Sequence, residues 1–210
     1  MPIRITDGIP ITFPVSQADA TFANAYGNAI KLFALDIKRS EQKAAAWCYA
    51  ACAEMVINYS HNAPVTTPVA NQCQVVSFVK KGKDELNFCC QTNGIECIAR
   101  GCSTRDIGLI FDFWKVNHDT TGMADPEFGP VSVDKLRSEL AAGNPVQIVV
   151  DWDDGGSHAV LVIAVQGNWL FIIDPLENNP YGGWHTVGSL QFGFSEGKWA
   201  RTWVGLRRVI

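Results

Sequence analysis

The sequence predicts an α+β fold in which a helical lobe packs against an antiparallel β lobe. Three observations carry that expectation. Between residues 48 and 117 the apolar side chains recur at helical spacing. From residue 145 onward the apolar runs shorten to strand length and fill with Val and Ile. Gln166-Gly167-Asn168 separates two such runs and reads as a tight turn, so they should pair as a hairpin. Helices gathered before strands, rather than alternating with them, belong to the α+β class.

The chain has 210 residues, enough for one domain or two small lobes sharing a cleft. Its hydrophobic content of 47% against 18% charged residues is that of a packed globule, not a disordered chain. A net charge of −4 leaves no basic footprint, so neither nucleic acid nor an anionic membrane is an expected partner. No stretch of 18 apolar residues exists to span a bilayer, and the first residues show no charged segment followed by an apolar one, as a signal peptide would. Seven cysteines all fall between Cys48 and Cys102. An odd number suggests one free thiol and three disulfides, drawn from Cys52, Cys73, Cys89, Cys90, Cys97 and Cys102. That suits a secreted or periplasmic destination. A zinc site is not expected: there is no CxxC, and "CCQTNGIEC" has no histidine beside it. No cofactor or metal is expected, and the protein is expected to act as a monomer.

Taken in order, residues 1–38 form an N-terminal extension or pro-segment packed on the domain, and residues 39–210 the domain itself. Within the extension "GIPITFPV" has strand character, and residues 18–38 read equally as a helix or as a hairpin turning at Tyr26-Gly27-Asn28. The helical lobe spans about 45–120. "CYAACAEMVINYS" (48–60) is good helix sequence and stops at "HNAP". A second helix should open with Thr67 as N-cap and Pro68 in its first turn, show Val69, Cys73 and Val76 on one face, place Lys80 and Lys81 at its negative end and stop at Gly82. A third should start at Ser103 with Asp106 three residues on, followed by the stripe Ile107, Ile110, Phe111, Trp114. Disulfides on and between these helices would staple a lobe whose own core is thin.

After Gly122 the texture changes, and the β lobe spans about 128–210. A short helix begins at Ser132, with Val131 and Leu136 able to staple its start and Gly143 ending it. Strands follow at 145–152, 158–165 and 169–174, with further pieces near "GWHTV" and "ARTWVGLRRV".

The hairpin carries the first chemical signal. His158 and Asp174 lie sixteen positions apart, nearly symmetric about the turn. Antiparallel pairing brings them to one open end, and their even separation lets both side chains share a face; a bulge or register slip would break this. Cys48 sits where a helix begins. Free N–H groups and the helix dipole stabilise a thiolate there, and a nearby imidazolium would lower its pKa further. A carboxylate on the other ring nitrogen would orient the imidazole. Cys48, His158 and Asp174 thus have the makeup of nucleophile, base and orienter. Attack on an amide creates an oxyanion, for which the Cys48 N–H and the Gln42 side-chain amide are candidate donors.

Gln42, "WCYAACAEM" around Cys48, "GGSHAVLV" around His158 and "FIIDP" around Asp174 resemble the papain-like cysteine peptidases. The likeness is greatest to a bacterial branch with a "Q…WCWAA…GGH…DP" pattern, which includes C39-like bacteriocin-processing peptidases and AvrRpt2-type effector proteases. "QC" at 72–73 and "CC" at 89–90 resemble further landmarks of that branch, and the likeness spans roughly residues 40–175. It implies a two-lobe papain-like fold, with the active site in the groove between a lobe bearing the cysteine and a lobe bearing His and Asp. It also implies a thiol endopeptidase acting on protein or peptide, exported as a protease or toxin, and self-processing near the N-terminal segment. Candidate cleft-lining residues are Trp47, Tyr49, Ser157, Trp152 and Trp184. Two positions depart from the pattern. Tyr49 stands where the branch has Trp, and no tryptophan follows Asp174-Pro175-Leu176 to shield the imidazole partner, a role left to Trp184 or Trp152.

The same triad serves an amidase, a deamidase or a transglutaminase-like toxin, and an inactive papain-like binding module is a third reading. Cys52, one turn after Cys48, reads as structural. His61, His118 and His185 lack supporting context, and "DWDDGG" (151–156) reads as a solvated acidic loop rather than a calcium site.

Overall fold

A computed structural model describes residues 33–64, 66–91, 95–99, 101–119, 127–176, 182–191 and 197–208. The expectations for residues 1–32 lie outside the described residues. The chain enters through a two-residue strand, Phe33–Ala34 (β1), and reaches helix α1 at Cys48–Ser60. Alanine-rich, α1 buries Tyr49, Ala50, Ala51, Cys52, Ala53, Met55, Val56 and Ile57, while its polar side chains Glu54 and Asn58 bond neighbouring segments. A helix buried over most of its surface has to be central, and this one is.

The second helix, α2, runs over Gln72–Lys81 and starts later than Thr67. Asn71 forms a complete capping box with Gln74, a stronger start signal than Pro68 in a first turn. Residues 69–70 are also held out of the helix by Asn58 of α1, whose side chain accepts the N–H groups of Val69 and Ala70 (2.7 and 3.2 Å) and donates to the Ala70 carbonyl at 2.9 Å. The end at Gly82 is as read: its φ of 85° is a backbone state that favours glycine. The short helix α3 (Phe88–Gln91) follows. Helix α4 (Thr104–Phe113) carries the expected Ser103–Asp106 capping box, with its apolar stripe Ile107, Ile110 and Phe111 buried.

Two disulfides form, not three. Cys73 of α2 bonds Cys90, and Cys89 bonds Cys97, so the adjacent cysteines of α3 staple it in both directions. Cys52 and Cys102 stay outside any disulfide, together with Cys48. Cys52 points into the core from α1, with its thiol donating to the Ala159 carbonyl at 3.3 Å, away from the stapled helices.

Short strands β2 (Val116–Asn117) and β3 (Glu127–Phe128) lead to α5 (Val133–Ala141), capped by Ser132 as expected. The main strands are β4 (Val146–Trp152), β5 (Ser157–Gln166), β6 (Trp169–Ile173), β7 (Gly183–Thr186) and β8 (Gly197–Trp203). A short helix α6 (Val187–Gln191) lies between β7 and β8, and β9 (Arg207–Arg208) closes the chain by pairing with β2. The sheet is antiparallel in the order β3-β8-β4-β5-β6-β7, with β1 continuing on β5. Each face of the sheet has a core. Val149, Ala159, Leu161, Ile163 and Trp203 pack on α1 and α4, while Ile148, Val160, Val162, Leu170 and Ile172 pack on Leu136 and Leu140 of α5. This is the α+β, papain-like arrangement expected.

Candidate active site

The hairpin fixes the His–Asp pair through its register. At the turn Gln166 faces Trp169, and that register, if continuous, would set Asp174 opposite Leu161, on the other side of the sheet from His158. A bulge between Val162 and Ala164 shifts it by one, so Leu161 faces Ile173 and Asp174 falls opposite Val160. His158 and Asp174 become diagonal neighbours on one face. The bulge, the feature expected to disrupt this geometry, creates it. His158 Nε2 donates to Asp174 Oδ1 at 2.8 Å in a buried contact. The same oxygen accepts the Leu176 N–H at 2.7 Å, which holds the carboxylate in plane.

Nε2 is thereby taken, leaving Nδ1 for the cysteine. Cys48, first residue of α1 and half-buried, hydrogen-bonds to His158. Burial pushes its thiol pKa up. The His158 bond, the His158 charge and the N–H groups of Ala159 and Tyr49 outweigh burial, so the net shift is downward. For His158 burial favours the neutral ring, but Asp174 and Cys48 together raise its pKa to about 9. Both shifts favour a thiolate beside an imidazolium. Cys52, wholly buried, is pushed well above the ordinary thiol range by burial and by the negative Cys48 and Asp174, so it stays neutral.

The two cysteines of α1 grip the backbone of one residue, Ala159. Past the end of β6 the edge of β5 is open at Ala159, and α1 takes its place: the Ala159 N–H meets the Cys48 sulfur and its carbonyl accepts the Cys52 thiol. An i, i+4 pair presents two sulfurs on one helical face, spaced to reach both.

The cleft, about 1030 Å³, is lined by Cys48 and His158 together with Tyr49, Trp152, Ser157 and Cys102. Trp152 stacks on the His158 ring, centroids 6.3 Å apart and planes 18° apart, and so takes the shielding position. Trp184 instead meets Phe171 edge-on and does not line the cleft. Trp47 is likewise absent from the wall; it is buried, with its indole N–H donating to the Cys97 carbonyl at 2.9 Å. Gln42 also lies off the lining. Its Nε2 donates to the carbonyls of Ala44 and Ala45, at 3.1 and 3.0 Å, within its own loop.

Sequence reasoning missed the strap before α1. Arg39 donates through Nε to the Asp174 carbonyl at 2.7 Å and through Nη2 to that of Leu176, and the Gln42 N–H donates to Pro175 O at 2.7 Å. Buried Gln72 then ties the strap to both helices, donating to Ser40, Glu41 and Glu54 and accepting the Lys43 N–H. A lone arginine 135 residues from its partner leaves no local signal. Gln72 was noticed only as half of "QC". Among the described residues no cluster of His, Cys, Asp and Glu has the makeup of a metal site.

A cysteine and a histidine in mutual contact, a carboxylate on the far ring nitrogen, and a cleft between a central helix and a sheet define a papain-like cysteine peptidase. The chain belongs to the Peptidase_C39 like family, which it matches over residues 34–204. Its fold is similar to a crystal structure from Bacillus anthracis assigned to the C39-like peptidases, with a TM-score of 0.53 and 12% identity over 85% of this chain and 100% of that one. No curated protein is found to match it. The protein is a cysteine peptidase, and its substrate class is protein or peptide.

Proposed function

We propose that the protein is an endopeptidase whose nucleophile is Cys48. The observation that carries this is the contact of Cys48 with His158 while His158 Nε2 is bound to Asp174. The Cys48 thiolate attacks the peptide carbonyl. His158, already protonated, passes its proton to the leaving amine, and the C–N bond breaks to leave a thioester. Water, deprotonated by the now neutral His158, hydrolyses the thioester and restores the pair. Asp174 holds the ring in the orientation both transfers need. As first residue of α1, Cys48 has an N–H with no acceptor inside the helix, which makes it the first oxyanion donor. Gln42 is the second, exchanging one of its loop carbonyl bonds for the oxyanion. Two disulfides among the described residues favour an oxidising site of action, and we assign the enzyme to export on that ground.

The test is mass spectrometry of an unfolded protein substrate after treatment with wild type and with Cys48→Ala. New termini from the wild type alone are expected. Equal cleavage by both proteins overturns the nucleophile, and a one-dalton gain without cleavage reassigns the enzyme to deamidation.

A further inference from the structure

On the wall opposite the nucleophile, side chains from β4 and β8 form a graded row. Asp151 at the rim is paired with Arg201 at 2.8 Å. Val149 faces Arg201 across the two strands, and Gln147 faces Trp203 at the inner end. Asp151, Val149, Arg201 and Trp203 line the cleft, with Ile107 and Ala159 beside them. Ile107, Val149, Ala159 and Trp203 are all more than nine-tenths buried, so the inner wall is apolar.

That apolar end contains a polar group with nothing to bond. The Trp203 indole Nε1 is buried without an acceptor, and the amide of Gln147, its cross-strand neighbour off the cleft lining, does not serve it. Buried donors and acceptors are nearly always satisfied, so this group calls for a polar complement. The complement has an apolar stem, to match Ile107, Val149 and Ala159. Its end must be uncharged and accept from the indole. A carboxylate fails because no cation there is unpaired: Arg201 already serves Asp151. An ammonium fails because the indole offers only a donor.

We propose that the inner end of this cleft recognises a substrate side chain ending in an uncharged carboxamide, glutamine or asparagine. Trp203 Nε1–H reads its carbonyl oxygen, and the apolar wall of Ile107, Val149 and Ala159 takes its stem. The inference rests on the peptidase reading and adds a specificity pocket to it.

The test compares peptides that differ only in bearing Gln, Asn, Met or Glu at each position flanking the scissile bond. At one position the wild type should favour Gln or Asn over Met by about tenfold in kcat/KM, the scale of one hydrogen bond in a water-poor site. Trp203→Phe keeps the ring and removes the N–H, so that ratio should fall toward unity. Because the readout is a ratio, a general loss of fold or activity does not imitate it. A wild-type ratio near one at every position, or a preference surviving Trp203→Phe, overturns the pocket. The indole N–H resonance of Trp203 in Cys48→Ala protein gives a reading without turnover. It should move on adding the Gln peptide and stay with the Met peptide, and no movement with either also overturns the pocket. If the wild type cleaves no peptide at all, the peptidase reading fails while the resonance still decides the pocket.

Discussion

At Cys48 two effects oppose each other, and their balance decides the chemistry. Burial alone would keep the thiol protonated, and the His158 bond, its charge and two backbone N–H groups overcome it. Cys48 should therefore react with iodoacetamide at a pH midpoint below the ordinary thiol value of about 8.5, and His158→Ala should raise that midpoint. Turnover needs the thiolate and the imidazolium together. It should rise as pH climbs through the lowered thiol value and fall as pH climbs through about 9, where His158 loses its proton. A rate still rising beyond that point would sink the ion-pair assignment. Removing an oxyanion donor costs about 100- to 1,000-fold in kcat. Gln42→Ala should show a loss of that order with KM little changed, and a loss below twofold would leave Gln42 a loop-former for Ala44 and Ala45. The clustering of Cys48, His158 and Asp174 was legible at this scale because each sits in a short motif with its own local cause: a helix start, a strand after glycines, a turn before proline. The pairing of Trp152 with the imidazole was legible only as one of two options, since tryptophans carry no signal for which ring they cover.

Among the elements, the β5–β6 hairpin matters most. Strand runs and turn were readable from alternation and from "QGN", yet the bulge that makes His158 and Asp174 neighbours was not, because no residue in Val162-Ile163-Ala164 marks it. Deleting Ile173 should set Asp174 opposite Leu161, on the far face from His158, and abolish turnover, and circular dichroism should show the sheet retained. Activity within tenfold of wild type would refute the register argument. The start of α2 was misread for a related reason. Thr67-Pro68 is a sound local start, but Asn58 of α1 claims the backbone of residues 69–70 and Asn71 supplies a better cap. The cysteine count gave the right lobe and the wrong number of bonds, because it could not show that Cys52 turns inward to β5. Its thiol bond to Ala159 predicts that Cys52→Ser, which keeps a donor, retains more activity than Cys52→Ala. The reverse order would remove Cys52 from the positioning of Cys48.

Across the whole molecule, Cys48 and the His158–Asp174 pair come from opposite halves of the chain, and their relative placement rests on the strap before α1. Arg39 and Gln42 hold the 174–176 segment, and Gln72 holds the strap to α1 and α2. Arg39→Ala should lower kcat more than it raises KM, since it frees the peptide bearing Asp174 rather than a cleft wall. A pure KM effect would contradict this. The stapling of α3 has a further consequence. Cys97, bonded to Cys89, offers its carbonyl to Trp47, the residue immediately before Cys48. The cross-link therefore reaches the reactive sulfur through one indole. A mild reductant that opened it would slacken the start of α1 without touching the cleft, so the enzyme should be weaker in a reducing medium than in an oxidising one. The redox state of its surroundings would thereby act as a brake on the peptidase.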